Sequence, residues 1–173
     1  GKTKKIDYDN NLIFEGEYLN GKLNGKVKKY DFDGYGYLFV DHKKWIDFLK
    51  DEVNYSSEKL SNVSRNLVDQ AIDIVGKYKI DKYLIHGDFG THNFLVDNGI
   101  IKVIDPMGVV GDPLYDFYFA LFSNVSIFRN LDISYILSFF ERDEGYKKAL
   151  MIIVFYIRMS RSYVYDRDNY EEY

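Results

Sequence analysis

The chain has 173 residues, 46% hydrophobic and 18% aromatic, which is enough for one ordinary core or a core with a small appendage. It has no cysteine and three histidines, which excludes a disulfide framework and a thiolate metal site. A formal charge of −4 and a pI near 5.4 argue against nucleic acid as the partner, because phosphate binding wants a basic face.

The first residues, "GKTKK", lead into no apolar stretch, so no signal peptide is expected and the cytoplasm is the default location. Residues 1–10, "GKTKKIDYDN", and 25–34, "GKVKKYDFDG", share six identities in ten at an offset of 24, an internal repeat. Between them, Phe14, Gly16 and Tyr18 alternate with Glu15 and Glu17 in a strand pattern, and Asn20-Gly21 and Asn24-Gly25 suit tight turns. The segment therefore reads as stacked β-hairpins. These residues resemble the MORN repeat, an aromatic-Glu-Gly-Glu-aromatic strand followed by an Asn-Gly-Lys turn. Two roles stand side by side for residues 1–34: a short β-ribbon that packs on its neighbour, or a surface that binds a protein partner.

From about residue 40 the spacing becomes helical. Trp45, Phe48 and Leu49 fall at i, i+3, i+4, and Leu60, Val63, Leu67, Val68, Ala71, Ile72 and Val75 predict a second helix within 57–78. Further helices are expected at 113–122, 132–141 and 144–165, the first with Asp112 as N-cap and Pro113 at its first position. The longest apolar run, "ALMIIVFYI" at 149–157, is closed by Lys148 and Arg158, well short of the roughly 20 residues of a membrane span, and reads as a buried helix.

The stretch "HGDFGTHNFLVDNGIIKVIDPMGVVGDPLYD", residues 86–116, concentrates the chemistry. Asn98-Gly99 joins two apolar runs and is the strongest short hairpin signal. With those two residues as the turn, Asp97 faces Ile100, Val96 faces Ile101, and Asn93 faces Ile104. Asn93 and Asp105 then emerge at the same open end, where an amide oxygen and a carboxylate suit a hard cation such as Mg²⁺. Asp88 lies five residues before Asn93 in a loop entered from the apolar strand "YLI", close enough to curl over that opening as a base. Kinase-type phosphoryl transfer uses this spacing: the first Asp orients the attacking hydroxyl, and the Asn and second Asp hold metal on the nucleotide phosphates. The bland alternative is a turn aspartate, a strand-edge amide and a helix cap with no shared task.

"HGDFGTHN", "VIDP" and "GDPLYD", in that order, resemble the signature of the aminoglycoside phosphotransferase and choline kinase superfamily, small-molecule kinases with a protein-kinase-like fold. The resemblance covers roughly residues 35–173. It implies Asp88 as catalytic base, Asn93 and Asp105 as Mg²⁺ ligands, and Asp116 as a buried support of the catalytic loop. For Asp116 a helix-dipole role competes equally. His86 joins Asn93 and Asp105 among the cofactor-binding candidates, with a purely structural loop role as its competitor, and His92 reads as solvated.

The expected fold class is α+β: a mostly helical C-terminal lobe of a kinase-like fold with a small β-hairpin at the active site, residues 35–173, preceded by the repeat segment, residues 1–34. The expected function is transfer of phosphate from ATP or GTP, with Mg²⁺, to a hydroxyl acceptor such as an aminoglycoside or amino-alcohol. Acidic runs at 141–144 and 166–173 suit a cationic acceptor, or are a solvated face. A nucleotide-covering glycine loop and its lysine are not found before residue 40, since Gly34 and Gly36 offer no G-x-G-x-x-G. Little turnover is therefore expected from this chain alone, and the alternative function is a non-catalytic interaction protein on the same scaffold.

Overall fold

The computed structural model describes residues 3–6, 12–19, 22–24, 34–40, 42–124, 126, 132–171 and 173. The chain divides into two units, Gly1–Phe32 and Asp33–Tyr173.

In the first unit β1 (Thr3–Ile6), β2 (Leu12–Leu19) and β3 (Lys22–Asn24) form an antiparallel sheet in that order. Lys4 lies opposite Glu15 and Tyr18 opposite Leu23. The strand expected from the alternation around Phe14 is thus present, whereas the Asn20-Gly21 turn and nearly all of the second repeat copy lie outside the described residues.

The second unit is mostly helical. Its helices are α1 (Trp45–Lys59), α2 (Asn66–Val75), α3 (Pro113–Leu121), α4 (Ile133–Leu137), α5 (Glu144–Tyr165) and α6 (Arg167–Tyr170). Two small sheets accompany them. Strands β4 (Gly36–Tyr37) and β5 (Tyr83–Ile85) flank β8 (Val109–Gly111) in an antiparallel sheet, and β6 (Phe94–Asp97) pairs with β7 (Ile100–Val103) in a separate hairpin. Strand β8, the central strand of its sheet, is buried along its length.

The core follows from helical periodicity. Trp45, Phe48, Leu49, Val53 and Ser56 form the buried stripe of α1, and Trp45 stacks on Phe48 at 5.1 Å and meets Tyr115 edge-on at 5.6 Å. Helix α5 has 22 residues, about 33 Å of axis, and packs against α1, α2 and α3. Its start is fixed by Asp143, whose side chain accepts the N–H groups of Gly145 and Tyr146. Leu150, Ile153, Val154 and Ile157 are buried in the core, as expected for the apolar run. Among the described residues no helix is long and apolar enough to cross a membrane. Across this core Arg161 of α5 pairs with Glu52 of α1 at 3.0 Å, and Tyr37 of β4 donates its hydroxyl to the same carboxylate at 3.0 Å.

Two helix expectations are corrected. The apolar face read across 57–78 is broken: residues 57–59 close α1, Leu60 caps it, and α2 begins at Asn66. Ser61, Asn62 and Ser64 favour turn geometry, because their short polar side chains compete for backbone hydrogen bonds, and Leu67 ends up 59% exposed. The helix expected over 132–141 is only Ile133–Leu137, none of whose residues is buried.

Candidate active site

Residues 86–93 leave β5 as a loop and enter a single 3₁₀ turn, Thr91–Asn93, that leads into β6. The hairpin has the register read from sequence: Asp97 opposite Ile100, Val96 opposite Ile101 and Phe94 opposite Val103. Asn98 and Gly99 both have positive φ, 50° and 77°, as a two-residue hairpin turn requires. The Ile104 N–H donates to the Asn93 carbonyl at 3.0 Å, so the ladder extends to the residues that flank the open end.

At that end Asn93 is 6% exposed, and its Nδ2 donates to the Asp88 carbonyl at 2.8 Å. The amide orientation assigned by this bond leaves Oδ1 as the atom offered to a ligand. Asp88 is partly buried, with its side chain 22% exposed, and its carboxylate stands 3.4 Å from His92 Nε2 and 3.5 Å from Asn93 Nδ2. Both distances are long, so no short side-chain bond ties the carboxylate down. Asp105 follows the hairpin, exposed and with φ of 54°, a left-handed turn that swings the chain off β7 toward β8.

His86 is the junction of this region. The Asp88 N–H donates to its Nδ1 at 3.2 Å, which places the ring proton on Nε2, and Nε2 donates to the Ile104 carbonyl at 2.9 Å. Its own carbonyl accepts from Met107 and Gly108 at 2.9 and 3.1 Å. Both ring nitrogens are therefore engaged by the backbone. The loop is gripped from α3 as well: Asp116 accepts the His86 N–H at 2.6 Å and the Gly87 N–H at 2.9 Å. Gly87 has φ of 82°, and a Cβ there would stand 2.4 Å from Val109 Cγ2, so only glycine lets the loop lie against β8. Burial raises the Asp116 carboxyl from its ordinary value, against the opposing pull of the two N–H groups.

Asp112 does more than cap α3. It is 1% exposed, accepts the Leu114 N–H, and also receives Arg142 Nε and the Tyr146 hydroxyl, each at 3.0 Å. Sequence spacing could not supply those partners, which come from 30 and 34 residues away. The same holds for Ser123, beyond the end of α3, which accepts the Thr91 N–H at 3.0 Å.

Among the described residues no group of three or more His, Asp or Glu is placed to hold a metal. An amide oxygen and a carboxylate, as Asn93 and Asp105 carry, would suit a hard cation that keeps water or phosphate in its remaining positions.

Solved structures of aminoglycoside phosphotransferase APH(4)-Ia share the fold. A thermostable mutant in ternary complex with ADP and hygromycin B matches with a TM-score of 0.56 and 23% identity over 80% of this chain and 53% of that chain. The apo form of such a mutant gives 0.51 and 22% over the same shares. This chain thus spans about half the length of the structures it matches. No curated protein matches the chain. Residues 40–151 match the phosphotransferase enzyme family, APH, and the chain belongs to that family.

Proposed function

We propose that the chain is the acceptor- and metal-bearing lobe of a small-molecule kinase that transfers a nucleotide γ-phosphate to a hydroxyl acceptor. The observation that carries this reading is the shared opening: Asp88 and Asn93, linked through the Asp88 carbonyl, sit where the hairpin returns the chain to Asp105. Asp88 is the residue that accepts the acceptor's proton. Asn93 Oδ1 and Asp105 are the ligands for Mg²⁺, which when bound would neutralise charge on the transferring phosphate. Asp116 and His86 hold the loop that presents Asp88.

ATP is the donor favoured by the AMP-PNP and ADP complexes of the related structures, and GTP satisfies the same phosphate chemistry. Those structures also hold hygromycin B, so an aminoglycoside or another amino-alcohol, carrying cationic groups, is the proposed acceptor class. Residues 35–173 form the catalytic lobe in this reading. Residues 1–34 are a MORN-like segment whose three antiparallel strands suit a protein partner, and the cytoplasm is the proposed location.

The experiment is transfer from γ-phosphate-labelled ATP to a panel of hygromycin B, other aminoglycosides, choline and amino sugars. It compares the wild-type chain with Asp88→Asn and Asp105→Asn. Turnover is expected to be low, and to fall at least about 100-fold in either variant, because each removes a group used in the transition state. Equal transfer in all three proteins would overturn the assignment.

A further inference from the structure

We propose that Ser123 is a positioning residue for the Asp88–Asn93 loop, acting as a helix cap supplied from outside the loop; the proposal rests on the phosphotransferase reading. A helical turn leaves its first N–H groups without intrahelical partners, and a polar side chain at the N-cap normally takes one of them. Here the residue in front of the turn is Gly90, which has no side chain to offer. Thr91, the first residue of the turn, instead donates its N–H to Ser123 Oγ at 3.0 Å, from 32 residues away.

The hydroxyl is held so that it must accept. Ser123 Oγ donates its one hydrogen to the Ala120 carbonyl at 2.7 Å, which turns a lone pair toward Thr91. Ser123 is 8% exposed, so water is a poor substitute at that position. The two grips on the loop are thus spaced along one helix. Asp116, in the first turn of α3, holds His86 and Gly87 at the loop's entry, and Ser123, just beyond the helix's last residue, holds Thr91 at its exit. Asp88 lies between the held positions. Asn93 ends the turn that Thr91 begins, so the direction of its Oδ1 depends on that turn keeping its shape.

The test uses the whole chain, isotope-labelled, as wild type, Ser123→Ala, Ser123→Thr and the control Ser57→Ala, whose hydroxyl donates to Val53 within α1. The first readout is amide exchange at Thr91. The second is the Mn²⁺ concentration, with ATP present, that half-broadens the Asn93 side-chain amide resonance. Ser123→Ala is expected to speed Thr91 exchange and raise the Mn²⁺ midpoint, each about fivefold, as for loss of one buried hydrogen bond. Ser123→Thr restores both, and Ser57→Ala changes neither. Should the alanine variant not fold, Ser123→Cys, with a weaker acceptor of similar size, is expected to shift both readouts in the same direction.

Wild-type exchange at Thr91 in Ser123→Ala, or a shifted Mn²⁺ midpoint that threonine does not recover, would overturn the proposal. If Mn²⁺ and ATP leave residues 88–105 of the wild type unbroadened, it is the phosphotransferase reading that fails. The exchange measurement then still decides whether Ser123 holds the loop.

Discussion

At Asp116 charge and burial oppose each other. Burial raises its pKa above the ordinary carboxylate value, while the Gly87 and His86 N–H groups pull it down by less. A folded-state pKa above the unfolded one favours the protonated acid in the fold. Its stabilising share is complete below the unfolded pKa and is lost as pH rises through the raised value, so ionising Asp116 carries a net cost from its burial. Asp116→Asn relieves that cost but sets an amide NH₂ against one of the two backbone donors. The donor conflict outweighs the relief, and we expect a loss of about 1–2 kcal/mol in denaturant unfolding. Faster exchange is expected at the His86 and Gly87 amides. A variant as stable as wild type with unchanged exchange would mean that the loop needs no carboxyl acceptor. A helix-dipole role for this residue predicts no such local change.

The β6–β7 hairpin shows what local sequence can specify. Its register and its positive-φ turn depend on neighbours in the chain, and both were legible in "LVDNGII". Helix α5 was legible for the same reason, since its apolar run lies within its own 22 residues. The α1–α2 break was not, because Leu60 and Val63 kept the helical spacing while Ser61, Asn62 and Ser64 ended the helix. Nor were the site's long-range ties legible: Asp112 meets Arg142 and Tyr146 where α3 packs on the start of α5, and Thr91 meets Ser123 across 32 residues, and no spacing rule encodes either. The hairpin itself contributes little to the core, with Val96 75%, Ile100 62% and Ile101 67% exposed. A Cβ at Gly99 meets nothing within 4 Å, so Gly99→Ala is opposed only by its φ of 77°. We expect a cost of about 1 kcal/mol, confined to the hairpin. Amide exchange in residues 94–103 should quicken while the melting temperature of the chain stays put; a fall in melting temperature would show that the hairpin is part of the cooperative core.

The whole molecule leans on tyrosine, with 17 in the chain. Tyr115, Tyr118 and Tyr146 are each no more than 1% exposed, and burial raises all three hydroxyls above their ordinary value. Tyr37 is pushed up to about 12 by burial and then by the neighbouring Glu52. Each is neutral in the fold. With folded pKa values above the unfolded 10.0, their contribution is intact below that pH and is lost as pH climbs, for Tyr37 through about 12. The denaturant midpoint is therefore expected to hold up to about pH 10 and then fall, with the tyrosinate absorbance of the buried rings appearing together with unfolding. A midpoint that stays level as pH climbs through about 12 would contradict this linkage. The single tryptophan makes such measurements separable. Trp45 lies where α1 meets α3 and β8, stacked on Phe48 and walled by Tyr115, and the ring lies against Gly111, while Asp88, Asn93 and Asp105 sit on other elements. Its emission comes from one known place in the core, so the molecule carries a built-in gauge of packing that is independent of whatever occupies the hairpin mouth.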